Sequence, residues 1–389
     1  MTPPSRALFL AGRDALHPGA AGGDLQAWQW ATHLAAAGWH VEFVCQSGDG
    51  LSERQTASGV SILRLGSGPL LAIRAARHYR RHKSEIDIIY EDPIGAGRTP
   101  FLSPLYARVG VIAVWHQVSA DLLATLHGSG VAAVLSFLER LVARFYRRAF
   151  LWAPSWERAD EISRDLRIPR DRITVIPPTL ATGIQIRATT VEAGPQILCL
   201  GVMRSYKHFD HVIRTMPAIL AVIPSARLVI AGRRGSDAFE STLLGVSTAL
   251  GLDEVVDFRF DLTDDDRQAL IRQSALLVIP SLLEGFGIVS IEANAEGVPV
   301  VASSGVPVAA VEHDLNGLRY PFGDLAALTH HIQRILQEPA LRRRLGQTGL
   351  AHARALTTAG IAPRFDRLVA RAQAQSRPTG SRRGLVAKS

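Results

Sequence analysis

Cysteine is nearly absent from the 389-residue chain, which has two, Cys45 and Cys199. Each lies in a short apolar run with the pattern of a strand. A disulfide framework is therefore excluded, and both are expected as reduced core thiols, which suits a cytoplasmic protein. Long apolar runs are missing too. No segment approaches the roughly 20 residues of a helical membrane span, and the opening run Ala7–Ala11 is too short for a secretory signal. Aromatic residues make up 6% of the chain, few for a surface that stacks on nucleic-acid bases. A Gly-x-Gly-x-x-Gly turn is absent from the first loop, Gly12 to Pro18, and from the loop after Leu200, which argues against a two-domain nicotinamide-dependent dehydrogenase.

What is present is globular composition, 47% hydrophobic and 20% charged, in a chain long enough for two domains. The formal net charge of +8 attracts anions. Part of it sits in the last residues, where Arg377, Arg382, Arg383 and Lys388 occur without an acid among Gly, Ser and Pro. That tail, 374–389, is expected to be disordered. The remaining excess is scattered, so no specific nucleic-acid partner is expected.

Short apolar runs alternate with helical patterns, which means a parallel sheet covered by helices. Strands are expected at Ala7–Ala11, Val41–Cys45, Ile86–Tyr90, Val111–His116, Leu151–Pro154 and Ile173–Ile176. A helix is expected over Asp24–Ala37, closed by Gly38. The stretch 181–196 has no periodicity and reads as a linker. The pattern then restarts with Ile197–Leu200, Arg227–Ala231, Val255–Phe260, Leu276–Pro280 and Pro299–Ala302, with helices such as Asp210–Val222 and Asp264–Ser274 between. The expected division is an N-terminal domain over 1–180, the linker, a C-terminal domain over 197–360, and a last helix over 361–373 that packs back on the N-terminal domain. The fold class is α/β, with two Rossmann-like doubly wound halves facing a central cleft where ligands bind at the carboxyl ends of the strands.

The segment Val278–Ala295 carries the chemistry. A buried strand ends at Pro280, a loop follows, and a helix begins near Gly287. Glycines there let the backbone approach a ligand, and free amides at the helix start suit a phosphate. Glu284 and Glu292 could each simply favour the positive end of a helix, but that does not account for the glycines and the spacing together. Glu292, about a turn into the helix, can accept hydrogen bonds from sugar or ribose hydroxyls.

The pattern Glu284-Gly285-Phe286-Gly287, with seven residues separating Glu284 from Glu292, resembles the signature of retaining glycosyltransferase family 4. Val298 to Ser303, Asn316-Gly317-Leu318 and Pro321-Phe322-Gly323-Asp324 also stand at that family's usual places, and the resemblance runs from Gly22-Gly23 to about Arg354. It implies the GT-B fold, a nucleotide-sugar donor linked to UDP or GDP, a hydroxyl acceptor, and no cofactor or obligatory metal. It makes Glu284 the residue facing the transferred sugar and Glu292 the ribose ligand. The backbone from Gly285 through Phe286 and Gly287 to Ile288 would approach the sugar and diphosphate. Lys207 matches one of a basic pair that clamps the diphosphate. The other stands as Val202, so Arg204 is the candidate to replace it. Gly22 and Gly23 resemble the glycines that approach the donor phosphate, and His116, at a strand end, the histidine that points into the cleft.

Two features read otherwise. Asp264-Asp265-Asp266 after Thr263 is a helix cap with acids in the first turn, not a metal site. Over Phe137–Phe150, Leu138, Leu141, Val142 and Phe145 form an apolar stripe beside Arg140, Arg144, Arg147 and Arg148. Packing against the sheet is the favoured reading of that stripe. Peripheral contact with an anionic membrane, or attraction of a phosphorylated acceptor, is the alternative for the basic stretches Arg74–Lys83 and Phe137–Phe150.

Overall fold

The structure is a computed structural model that describes all residues except 1–3, 21, 94–99, 117, 119–128, 182, 188–193, 236 and 376–389. The basic tail thus falls, from 376 onward, outside the described residues. The first half runs β1 (Arg6–Leu10), α1 (Gly22–Ala36), β2 (His40–Cys45), β3 (Arg54–Ala57), β4 (Val60–Arg64), α2 (Gly68–His82), β5 (Ile88–Glu91), β6 (Gly110–Val114), α3 (Ser129–Phe145), β7 (Phe150–Ala153), α4 (Trp156–Leu166) and β8 (Ile173–Val175). Its sheet has the order β3-β4-β2-β1-β5-β6-β7-β8, and only β3 runs antiparallel to its neighbour.

The second half runs β9 (Gln196–Leu200), α5 (Phe209–Leu220), β10 (Arg227–Gly232), α6 (Asp237–Ala249), β11 (Val256–Phe260), α7 (Asp264–Gln273), β12 (Leu276–Ile279), α8 (Ile288–Ala295), β13 (Val300–Ser303), β14 (Gly317–Tyr320), α9 (Leu325–Gln337), α10 (Pro339–Ala355) and α11 (Thr358–Gln375). Its parallel sheet has the order β11-β10-β9-β12-β13-β14. Both halves are doubly wound and Rossmann-like. The chain reverses its winding direction at β1, between β2 and β5, and at β9, between β10 and β12. Those are the switch points where a crevice opens beyond the strand ends.

Burial explains why the central strands read as unbroken apolar runs. In β1, Ala7 and Phe9 enter one core cluster and Leu8 and Leu10 another, because alternate side chains point to opposite faces and helices cover both. Ile197 and Cys199 of β9 likewise lie in a different cluster from Leu198 and Leu200. Cys45 and Cys199 are buried free thiols.

Two strands had no apolar signal to announce them. The β3–β4 hairpin turns through Ser58 and Gly59, both with positive φ, and β3 is an edge strand exposed over most of its length. β14 is four residues long and begins at Gly317, where a Cβ would lie 2.2 Å from the Val300 carbonyl oxygen.

The last helix returns to the first sheet. Phe365 of α11 stacks on Trp30 with ring centroids 4.2 Å apart, and His33 Nε2 lies 2.9 Å from Asp366 Oδ1. The helix begins at Thr358, three residues before its expected start. The chain crosses between the halves at Leu180 and Leu356, whose backbones share a 2.8 Å hydrogen bond.

The stripe on α3 corrects the sequence-based expectation. Ala132, Glu139 and Ala143 form its buried face, with Trp115 Nε1 donating to Glu139 Oε1 at 3.2 Å; of the expected stripe Val142 packs against the core, whereas Leu138, Leu141 and Phe145 are exposed. Small residues let the helix lie close to the domain, so most of its large apolar side chains are left on the far side.

Candidate functional site

Three loops at strand ends of the second half converge. The β12 loop is pinned to the β9 loop by Leu282 N donating to Tyr206 O at 2.9 Å. It is pinned to the β13 loop by Glu284 N donating to Gly305 O at 3.0 Å and Ser303 Oγ to Ser281 O at 2.5 Å. Gly305 must be glycine, because a Cβ would lie 2.1 Å from the Leu282 carbonyl oxygen. Gly287 caps α8 with φ of 93°, a left-handed conformation that favours glycine. The Phe286 side chain is buried in the core beneath, leaving its backbone as the part that can meet a ligand.

This architecture brings Lys207 and Glu284 together. Lys207 Nζ lies 2.5 Å from Glu284 Oε1, which also accepts from Ser281 Oγ at 2.6 Å. Burial is the largest influence on the Lys207 ammonium and works against it, but the charge and hydrogen bond of Glu284 together with Tyr206 outweigh burial and lift the pKa above the ordinary lysine value. Arg204, exposed at the start of the turn Ser205–Lys207, is near enough for its charge to oppose that rise. Val202 supplies no cation, so Arg204 and Lys207 are the cations of this loop.

Glu292 is placed differently from Glu284. It is buried on α8 and paired with Arg267 of α7, whose Nη2 also donates to Asp264 Oδ1 at 3.1 Å. Burial raises the Glu292 carboxyl above its usual range, with Arg267 opposing that rise. The Thr263 side chain caps α7 as expected, accepting from Asp266 N at 3.1 Å. The cap places Arg267 in the first turn of α7, beside α8.

The first half contributes the opposite wall. A Cβ on Gly22 would stand 3.2 Å from Ile288 Cδ1, and one on Gly23 would stand 3.0 Å from His116 Nε2. The start of α1, His116 after β6 and the start of α8 therefore meet. Arg233 Nη1 closes the same junction by donating to Ala20 O at 2.9 Å. His116 Nε2 is buried with no hydrogen-bond partner among the described residues, and the nearest carboxylate, Asp92 Oδ2, is 3.9 Å away. The loop from Glu284 to Ile288 joins this junction to the Lys207–Glu284 pair.

Sequence reasoning missed Ser281, Arg267 and Asp92. Ser281 stands three residues before Glu284 and Arg267 just inside a capped helix. Their partners are 3 and 25 residues away, and only the second of those distances lies beyond the reach of a local motif. Among the described residues, His208, Asp210 and His211 offer potential metal-ligand atoms within 4.8 Å of one another. Asp210 also lies 3.5 Å from Arg214 Nε, and the group stands at the positive end of α5, both unfavourable for a cation.

Comparison with known proteins agrees with this geometry. Residues 21–182 match the family model described as Glycosyltransferase Family 4, and residues 185–352 match that of Glycosyl transferases group 1. The chain belongs to this group 1 and family 4 class of GT-B glycosyltransferases. Among individual relatives, it is 29% identical over 221 residues to a D-inositol 3-phosphate glycosyltransferase of Streptomyces avermitilis, covering 52% of this chain and 47% of that protein. It is 26% identical over 229 residues to a GDP-mannose-dependent monoacylated alpha-(1-6)-phosphatidylinositol monomannoside mannosyltransferase of Corynebacterium glutamicum, covering 57% and 58%. The chain thus spans about half the length of the curated relatives it matches. In fold it is similar to sucrose-phosphate synthase of Thermosynechococcus elongatus, with a TM-score of 0.77, 21% identity, and 95% and 99% of the two chains covered.

Proposed function

We propose that the protein is a retaining glycosyltransferase that moves a hexose from a UDP- or GDP-linked donor to a hydroxyl acceptor, without an obligatory metal. The observation that carries this reading is the Lys207–Glu284 pair at the β9 switch point, beside the glycine-capped start of α8. Breaking the bond between the anomeric carbon and the diphosphate leaves negative charge on the leaving group. Lys207, Arg204 and the first amides of α8 offset that charge as it develops. Glu284, held by Ser281 and Lys207, presents a fixed carboxylate to the hydroxyls of the sugar. The acceptor oxygen attacks the anomeric carbon on the face the diphosphate leaves, and its proton passes to the departing phosphate oxygen.

In this reading the donor lies mainly on the C-terminal half, with Glu292 as its ribose ligand and the backbone of Gly285 to Ile288 along the sugar and diphosphate. The acceptor lies on the N-terminal half, where His116 has a nitrogen with no partner among the described residues to offer a hydroxyl. Closure of the halves over Gly22 and Gly23 excludes the water that would hydrolyse the donor. Two buried reduced thiols fit a cytoplasmic setting.

A panel of nucleoside diphosphates and their sugars, followed by thermal shift, identifies the donor because a bound ligand stabilises the native state by mass action. Glu284→Gln then abolishes transfer while nucleoside diphosphate binding stays nearly intact. Unchanged transfer in that variant overturns the assignment.

A further inference from the structure

We infer that the outer face of α3 docks on an anionic lipid bilayer. Val131, Val134, Phe137, Leu138, Leu141 and Phe145 are all exposed, from 38% at Phe145 to 65% at Phe137. Five of them, at 131, 134, 138, 141 and 145, follow alternate steps of three and four residues. They therefore form one stripe, about 21 Å long at 1.5 Å per residue. The stripe lies opposite Ala132, Glu139 and Ala143, which hold the helix to the domain. A continuous outward apolar face of this length is uncommon on a monomeric soluble surface.

Charge selects the occupant. Arg140, Arg144, Arg147 and Arg148 are exposed along the same segment. Arg140 Nε donates to the Asp165 carbonyl at 3.0 Å, and no carboxylate of the described residues pairs with the other three. The single acid of the segment, Glu139, is on the buried face. A second copy meeting this face would bring arginines against arginines with no outward acid on α3 itself to pair them. An anionic bilayer accepts both parts, the apolar stripe at the acyl boundary and the guanidinium groups on lipid phosphates. No helix of the described residues is long and apolar enough to cross a membrane, so the contact is peripheral.

The docking helix is also linked to the cleft. Trp115, whose indole binds Glu139 of α3, directly precedes His116. Docking through α3 therefore anchors the wall of the cleft assigned above to the acceptor. The lipid contact stands on its own observations, and its test does not depend on the donor reading.

The test is co-sedimentation of the full chain with vesicles of phosphatidylcholine alone and of phosphatidylcholine mixed with phosphatidylglycerol. The protein is expected to bind the mixed vesicles and to be released as salt rises. Leu138→Glu with Leu141→Glu lowers the bound fraction about tenfold or more by removing apolar contact and adding like charge to the lipid. Both positions are exposed, and an unchanged melting temperature confirms folding. Arg144→Glu with Arg148→Glu removes the preference for anionic vesicles. Failure of the native chain to bind mixed vesicles overturns the proposal. Undiminished binding by the leucine variant also overturns it and transfers the contact to the basic tail. A dimer that the leucine variant dissociates, without vesicle binding, assigns the face to a second copy instead.

Discussion

The Lys207 ammonium lies 2.5 Å from the Glu284 carboxylate, across 77 residues of sequence. The pair joins the β9 and β12 loops, and the two residues have different expected effects. Lys207→Met removes a cation from the leaving group, so kcat falls by about 100-fold, the scale of losing one fixed charge or donor at a transition state. Nucleoside diphosphate affinity falls with it. Glu284→Gln loses turnover with affinity nearly preserved. Steady-state kinetics with calorimetric titration of the free nucleotide separates the two, and identical profiles would contradict the division of roles.

Glu292 and Arg267 form a mostly buried ion pair. Arg267→Ala leaves the carboxylate buried and unpaired, which costs about 3–5 kcal/mol on the scale of broken buried pairs. Glu292→Ala leaves an arginine that is part exposed and retains Asp264, so its stability loss is smaller while nucleotide affinity drops. Urea unfolding of both variants checks the order. Unaltered nucleotide binding in Glu292→Ala would remove the ribose role.

Glu91 predicts a pH dependence. Burial lifts its pKa from 4.5 to about 7, although Ser103 and Tyr146 donate to it. An acid raised on folding binds more protons in the native state between those values, so stability falls as pH rises through the window. The loss amounts to about 3 kcal/mol at full effect, from 1.36 kcal/mol per pKa unit. Melting temperature is expected to decline from pH 5 to pH 8 by more in the native protein than in Glu91→Gln. Parallel curves would show that Glu91 is already ionised when folded.

Gly110 gives a test of how the last helix is held. A Cβ there would lie 2.1 Å from the Ala372 carbonyl oxygen. Gly110→Ala therefore pushes α11 from the sheet and destabilises by about 1–3 kcal/mol, as overpacking does. Hydrogen exchange over 358–375 should accelerate, and native exchange rates there would show that the backbone moves aside without loss.

Much of the fold was legible because its signals are local. Apolar runs of four to six residues marked most strands, since strands buried on both faces have few polar positions. Thr263 and Asp266 marked the start of α7 because a cap is made within three residues. The edge strand β3 and the short β14 escaped because neither buries an apolar run of its own, and β4 was not expected either, although Val60, Ile62 and Leu63 are buried. Phe286 illustrates a second limit. It belongs to the site motif, yet its ring is core and only its backbone can face the cleft.

The alternation of apolar runs with helical patterns was enough to mark two doubly wound halves, and the spaced glycines and acids marked the loop from Ser281 to Ile288. Those features depend on neighbours in sequence, where backbone conformation and helix capping are decided. Which partner each charge takes was decided only in three dimensions. Glu284 met Lys207, Glu292 met Arg267, and His116 came to rest against Gly23 because strand order brings distant loops to one edge. The direction of the α3 stripe was decided there too. A helical pattern shows that a face is apolar, but whether that face turns inward depends on what the other face finds to pack against.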